Sequence, residues 1–563
     1  MRYLQLTHNE WDPVTKTSRP KVLHSFGRED QLDRNAIRRL VVSLTRLLDP
    51  ASALTGTTTA GSEGLAFASS RPVGGTLVLD ALWHRLGIDT VMARLLAGRK
   101  RDPRTERVLF ALVANRALAP GSKLAAADWV TRRAHIDGLA ETSDDACYRA
   151  MHWLLEIAPD LEREVFWQVA TLLDHEVDLL FFDTTSTYFE LDDADEPATR
   201  NERGHLLATD ATDATDGTDG TDGGDGVGFR TWGKSKDSRD DLPQIVIGMA
   251  VTRDGIPVRV WCWPGNTTDS ALIRQAREDM RDWTLARVMW VADRGFSSQE
   301  NRRYLRRGDH HYIIGEKLRS GSPQITAALS RQGRYTTITD NMRVKEVKIS
   351  PDERFVICHN PEAAERDAHV REQLLAQLRE LIADSDALPA QKRGELAGRI
   401  STKPGLHRFL RTTPSGKLRI DAAKVKTEAN LDGKYLLRCS DPTLSAADIA
   451  VGYKQLLEVE RGWRDMKQIL DLRPVYHRLE DRIRAHVVLC WLALLLIRVA
   501  ETTTGQTWAS VRRELHRLHA VTFTGPTGTF RQRTDPTKPQ LDLYAQLGLP
   551  LPKKIIEITA TSP

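Results

Sequence analysis

The run Leu179–Phe182, followed at once by Asp183, restricts the fold more than any other stretch of this 563-residue chain. Four consecutive apolar residues without polar alternation describe a strand covered on both faces, as in the interior of an α/β sheet. A carboxylate set directly into such a strand costs free energy unless something compensates it. Hydrogen bonds to Thr184 or Thr185 are one compensation. A metal-binding or catalytic role is the other.

More strands follow. QIVIGMAVT and PVRVWCWP flank Arg253-Asp254-Gly255, a hairpin turn signal. ARVMWVADRGF reads as a strand ending at Asp293, with Arg294-Gly295 turning the chain into SSQENRRYLRR, a helix whose Ser297 and Glu300 have capping-box spacing. Asp293 therefore stands at a strand's C-terminal end, where open α/β sheets usually place their ligands. HHYIIGEK is one more strand. Lys234, Lys236 and Arg239 lie in a polar segment ahead of the hairpin, suited to phosphate contacts and equally to plain solvation.

A third acid comes from YKQLLEVERGWRDMK, Tyr453 to Lys467. Read as one helix, it sets Glu460 between Tyr453 and Lys467 on one face, because seven residues return to within about 20° of the start. Beside that line runs the apolar stripe Leu456, Val459, Trp463, Met466, Leu470, while Glu458 and Asp465 read as part of a solvated face. A Glu at the edge of a buried stripe is most simply explained by a nearby Lys or Arg.

The sequence divides into a β-hairpin (1–30), a mainly helical region (31–175), a first α/β stretch (176–317), an α+β insertion (318–445), a second α/β stretch (446–505), and a helical region with a tail (506–563). Residues 55–75 read as a linker, and 524–540 as a loop. Within 192–228 the T-D-G/A repeat has nothing able to build a core and is expected to be a disordered acidic loop. It lacks the spacing of a calcium loop. With that acid set aside, the remainder is more basic than the net charge of +4 suggests, which permits nucleic-acid binding. The five cysteines form no CxxC or His/Cys cluster, against a zinc site or a disulfide framework, and fit a reducing cytosol. The opening MRYLQLTHNEWD lacks the apolar core of a secretory signal. The longest apolar run, Val487–Ile497, is short for a membrane span and is expected to be a buried helix.

Asp183, Asp293 and Glu460 are 110 and 167 residues apart, in the order strand, strand end, helix, with the insertion between the last two. This resembles the ribonuclease H-like DDE arrangement. More narrowly it resembles the DDE insertion-sequence transposases, whose glutamate lies in a Y-x2-R-x3-E-x6-K signature. Tyr453, Glu460 and Lys467 fall on that spacing; Leu456 stands in place of the signature Arg. The resemblance extends over D-T-T-S-x-Y-F (183–189), G-K-S-K-D-x-R (233–239), P-G-N-T-x-D (264–269), D-R-G-F (293–296) and L-R-P-V-Y-H-R (472–478).

The resemblance implies a ribonuclease H-like mixed sheet with helices, interrupted by the α+β insertion and preceded by a helical DNA-binding region. It implies metal-dependent cleavage at the ends of a bacterial insertion sequence and strand transfer into target DNA. Asp183, Asp293 and Glu460 would hold two Mg²⁺ or Mn²⁺ ions, with Asp183 as the bridge, and their carboxyl oxygens are expected within metal-sharing reach. Tyr453, Lys467, Arg464, Lys234, Lys236 and Arg294 would contact DNA. Arg473, Arg478, Arg482 and Arg484 form a further basic tract, in which His477 as a general base is less expected than a structural role. The implied partners are double-stranded DNA, at the inverted-repeat ends and at the target, and a second copy in a synaptic homodimer. The expected place is the cytoplasm, at the nucleoid, without a membrane. A ribonuclease H-like nuclease without joining activity, a repurposed non-catalytic DNA-binding protein, and a glycosidase using an acid pair are the competing readings.

Overall fold

The computed structural model describes residues 3–12, 17–28, 66–172, 179–207, 226–283, 288–350, 353–525 and 528–560. The chain divides into two compact units. One comprises Met1–Val78, Val130–Ala140 and Gln506–Pro563. In it, β1 (Tyr3–Asp12) pairs antiparallel with β2 (Thr17–Arg28), and β3 (Ala66–Pro72) belongs to a separate sheet. The first part of the expected helical region and much of the expected linker lie outside the described residues. The linker's end, 66–75, is strand β3 and the start of a helix.

The other unit, Leu79–Trp129 with Glu141–Gly505, holds a nine-stranded sheet. Its strands are β4 (Leu179–Tyr188), β5 (Gln244–Val251), β6 (Pro257–Pro264), β7 (Met289–Ala292), β8 (His311–Glu316), β9 (Thr336–Thr339), β10 (Met342–Ser350) and β11 (Glu353–His359). A small hairpin, β12 (Leu410–Thr412) with β13 (Leu418–Ile420), stands apart, and β14 (Lys434–Cys439) rejoins the large sheet. The order is β6-β5-β4-β7-β8-β14-β11-β10-β9. The first three strands are antiparallel, and β4, β7 and β8 are parallel. That order and those directions are the ribonuclease H-like sheet. β4 is central and buried along most of its length, as its apolar run requires.

The insertion differs from the separate module the sequence suggests. Its strands pair onto β8 through β14 and extend the same sheet. Its helices and the β12–β13 hairpin build one core of their own, around Leu375, Leu378, Leu396, Ile400, Phe409 and Leu418, and the helix Pro323–Ser330 packs a second one, with Ile325 and Ala328 against Val347, Phe355, Ile357 and Leu436 of the sheet.

One face of the sheet packs Leu180, Phe182, Trp261, Trp263, Trp290 and Phe296 against the helix Asp269–Asp279. Behind β6 the helix Glu480–Thr504 is buried from Ile483 to Glu501. By length and composition it is apolar enough to cross a bilayer, but that stretch lies wholly inside the protein. It packs on the helices Thr105–Leu118 and Asp144–Leu172. Those helices therefore share a unit with the sheet, so no boundary falls at 175.

Residues 208–225 of the acidic repeat lie outside the described residues. The flanks of that expected loop do not belong to a disordered segment: Arg200 forks onto Glu480 (3.0 and 2.8 Å), and Asp195 pairs with Arg230 at 2.5 Å. After 506 the expected helices are interleaved with β15 (His519–Gly525), β16 (Gly528–Arg533) and β17 (Ile555–Ala560), which form a sheet in the order β17-β16-β15-β3. Val521, Phe523 and Phe530 alternate with polar residues there, a strand signal that the Gly/Pro/Thr-rich turn conceals.

Candidate active site

The parallel ladder puts two aspartates side by side. Its last rung joins Phe182 of β4, Ala292 of β7 and Ile314 of β8. The next residues along are Asp183, Asp293 and Gly315, on neighbouring strands whose backbones run about 4.8 Å apart. The strand runs into a turn at Asp293, so the carboxylate stands at the open end of the sheet. Burial raises the Asp183 carboxyl from the ordinary 3.8 to about 6; Lys236 works against that rise, and the charges of Asp293 and Asp269 add to it.

Tyr453 reaches this end of the sheet from the helix Ala446–Lys454. Its hydroxyl donates to Asp293 Oδ1 at 3.1 Å, and its ring stacks on Tyr435. Burial, then the Asp293 charge, raises its phenol well above the usual range. Gly315 makes this approach possible, because a Cβ there would collide with the Tyr453 oxygen.

The loop before β5 supplies the rest. Lys236 donates to Thr184 O and Oγ1 (2.7 and 2.6 Å) and lies 3.3 Å from Asp269 and 3.9 Å from Asp183. Thr184 in turn donates to Asp269 Oδ1 at 2.7 Å. The next residue, Asp237, accepts from Lys467 (3.0 and 3.2 Å) and from Arg473 (2.9 Å), while Lys467 also donates to Thr185 Oγ1 at 2.8 Å. Burial lowers the Lys467 ammonium, and its bond to Asp237 opposes that.

The third acid is not where the sequence reading puts it. The stretch 453–467 is two helices, Ala446–Lys454 and Leu457–Gln468, joined by a tightened turn in which Leu456 N bonds Tyr453 O. Helical spacing therefore does not carry across from Tyr453 to Glu460. The second helix buries Val459, Trp463 and Met466, leaving Glu460 exposed at the edge of that stripe. Among the described residues no three His, Cys, Asp or Glu side chains gather closely enough to hold one metal ion. The expectation that all three acids share reach is thus corrected. Glu460 nevertheless rides over the Asp183 face of the sheet. Lys467 of the same helix bonds Thr185, and a Cβ at Gly462 would meet the methyl of Met249, the antiparallel partner of Asp183.

The other residues singled out in the sequence take varied places. Tyr453 and Lys236 are turned onto protein acids, and Lys467 onto Asp237, rather than to open surface. Arg464, Lys234 and Arg294 are exposed. Asp465, read as solvated, is buried against Arg498 at 2.6 Å. Ser298, not Ser297, caps the helix after Asp293. His477 is buried between the rings of Tyr148 and His486, and burial lowers its imidazole to about 3, so it is neutral and structural. Trp261, Trp263 and Trp463 are core. The sequence reading missed Asp269 and Asp237, although both sit in the quoted motifs, at the ends of P-G-N-T-x-D and G-K-S-K-D.

The donor chemistry fits a divalent cation. Magnesium takes carboxylate oxygens and is commonly held by one or two of them with waters and substrate phosphates. Asp183 and Asp293 are such a pair, and the ammonium of Lys236 already answers the negative potential beside them.

Comparison with known proteins gives one family match: the family described as Transposase DDE domain matches residues 206–496, a span that includes Asp293 and Glu460 and begins after Asp183. Among solved structures, the chain is similar to a piggyBac transposase in a synaptic complex with hairpin DNA, at 11% identity over 78% of this chain and 79% of that one, with a TM-score of 0.34. No curated protein matches.

Proposed function

This chain belongs to the transposase DDE-domain family, whose match spans just over half its length, and from that premise we propose that it is the transposase of a bacterial insertion sequence, cutting DNA at the element's ends and joining them to target DNA. The observation carrying this reading is the pair Asp183 and Asp293, adjacent at the open end of two parallel strands.

In this reading Asp183 and Asp293 would hold divalent ions, Mg²⁺ or Mn²⁺ in two positions, and Glu460 would become the third ligand when bound DNA and metal draw it toward them. Bound ions would activate the attacking oxygen and stabilise the leaving one. The chain's own groups do the remaining work. Tyr453 holds Asp293 by its Oδ1, which leaves the other oxygen available to a cation. Lys467, on the helix that carries Glu460, is the cation that would meet a phosphate once DNA is bound. Arg294, Arg464 and Lys234 are exposed and would meet the DNA backbone, which positions without reading sequence. A water oxygen bonds to phosphorus as the bond to the 3′ oxygen breaks. The freed 3′ hydroxyl then bonds to a target phosphorus as that strand's own ester bond breaks. The same reading puts the protein in the cytoplasm at the nucleoid, working as a homodimer on two transposon ends.

The test uses labelled duplexes carrying the DNA that flanks the coding region. Wild type should nick them with Mg²⁺ present, and Asp183→Asn should be slower by roughly 10³-fold or more. Equal cleavage by Asp183→Asn would overturn the assignment. Precleaved ends offered with a target plasmid separate a transposase from a nuclease that cannot join.

A further inference from the structure

Consecutive residues of one loop, Lys236 and Asp237, carry opposite charges into oppositely charged pockets. The lysine enters the acid pocket of Asp183 and Asp269, and the aspartate enters a pocket made by Lys467, Arg473 and Thr185. In the second pocket a carboxylate takes two cations and sits beside a hydroxyl, the chemistry that also receives a phosphodiester oxygen. The Lys467 and Asp237 side chains are largely buried, at 13% and 17% exposed. The Arg473 guanidinium carbon lies over the Tyr188 ring, 5.0 Å from its centre, which helps fix its direction.

The pocket also opens outward. Lys467 and Arg473 line a cleft of about 560 Å³ whose walls include Arg230, Arg478, Tyr188 and Tyr476. Tyr476 is 62% exposed. A groove of cations interleaved with aromatic rings suits a nucleic-acid strand, with charge for the backbone and rings for the bases.

Besides the Lys236 and Asp237 contacts above, the loop's backbone is tied by side chains, with Asp237 N donating to Ser235 Oγ at 3.1 Å. Lys236 N donates to Ser186 Oγ at 2.8 Å, Ser235 N donates to Asp240 Oδ1 at 2.7 Å, and Ser238 has a positive φ of 58°. A non-glycine residue in the left-handed region is conformationally costly, so this loop conformation depends on its side-chain contacts.

We propose that Lys467, Arg473 and Thr185 form a phosphate subsite for the DNA backbone, that Asp237 fills it in the DNA-free protein, and that a phosphate of bound DNA displaces Asp237. This rests on the reading of the chain as a DNA-cutting enzyme and adds to it a subsite, an internal occupant and a groove leading away from the site. The loop thereby becomes a strap that DNA must lift.

The experiment measures binding of a fluorescein-labelled 30-bp duplex by anisotropy across a series of NaCl concentrations. Asp237→Asn keeps the shape and removes the charge. It should bind roughly fivefold or more tightly at low salt, with the slope of log K against log salt unchanged, because both proteins contact the same phosphates once DNA is bound. In Asp237→Asn/Lys467→Ala that gain should be gone. In the wild type, amide hydrogen exchange over 233–241 should speed up when the duplex is added. The subsite is overturned if Asp237→Asn binds no more tightly than wild type, or if exchange over 233–241 slows or stays the same. Should wild type bind no duplex at all, the DNA-cutting reading fails instead, and that outcome is distinct.

Discussion

Asp465 and Lys467 are two residues apart on one helix, about 200° around its axis, and they end in two very different charge clusters. Asp465 turns toward the core helix Glu480–Thr504, where Arg498, 1% exposed, pairs with it at 2.6 Å and with Glu501 at 2.6 Å, while Arg461 reaches Glu501 at 3.0 Å. Lys467 turns toward the strap and Asp237. In the first cluster, the charges all belong to two packed helices. In the second, one partner comes from a loop and the cluster borders an open cleft. A closed network between packed helices has nothing to exchange with, so its charges serve the fold. A network completed by a loop beside a cleft can trade its loop partner for a ligand of the same charge.

The sharpest test of the structural half is Arg498→Ala. It leaves Asp465 and Glu501 buried without their shared cation, and breaking a buried pair this way costs about 3–5 kcal/mol. Calorimetry should show a large drop in thermal midpoint. A drop no greater than that of an exposed substitution such as Arg464→Ala would mean that the closed cluster is not structural, and the contrast would break.

Next in size is the cost of keeping Asp183 charged. Its folded carboxyl titrates near 6 against an ordinary 3.8, so the folded protein binds that proton more tightly than the unfolded chain does. The penalty is therefore full above pH 6 and fades as pH falls toward 4. Asp183→Asn removes it. The variant should be more stable than wild type at pH 7 by up to about 3 kcal/mol, with the difference gone near pH 4. Urea unfolding at both pH values reads this directly. A variant less stable than wild type at pH 7 would mean that Lys236 and Thr184 compensate the charge fully, as in a closed structural cluster.

Much of this site was legible in the sequence, and its failures have physical causes. Leu179–Phe182 had to be an internal strand because nothing in it tolerates water on either face, and Asp183 followed. Asp293 was legible because Arg294-Gly295 ends the strand after it. The facing of Glu460 was not. Periodicity assumes an unbroken helix, and the tightened turn at Gln455 and Leu456 carries no Gly or Pro to announce it. Asp465 was misread for a different reason: its compensating charge, Arg498, is 33 residues away on another helix. Asp237 and Asp269 stood inside recognised motifs, yet their partners arrive only through tertiary contacts with Lys467, Arg473 and Thr184. The C-terminal strands were hidden because a Gly/Pro/Thr turn dominates a local reading of 519–533.

The smallest predicted effect asks whether Tyr453 belongs with the structural cluster or with the site. Its ring is packed on Tyr435, so Tyr453→Phe keeps the packing and loses only the hydrogen bond to Asp293. Stability should fall by about 1 kcal/mol. A purely structural tyrosine would stop there. A positioning tyrosine should also lower the rate of Mg²⁺-dependent cleavage at saturating DNA, by roughly tenfold, while duplex affinity stays unchanged. Gly315→Ala attacks the same contact from the other side, because its Cβ lands on the Tyr453 oxygen. In wild type it should slow cleavage in the same way. In Tyr453→Phe the oxygen is absent, so adding Gly315→Ala should cost much less than it does alone. That coupling between two residues on different elements is the mark of a shared task at Asp293. Additive effects in the double variant would place Tyr453 with Arg498, as a residue of the fold.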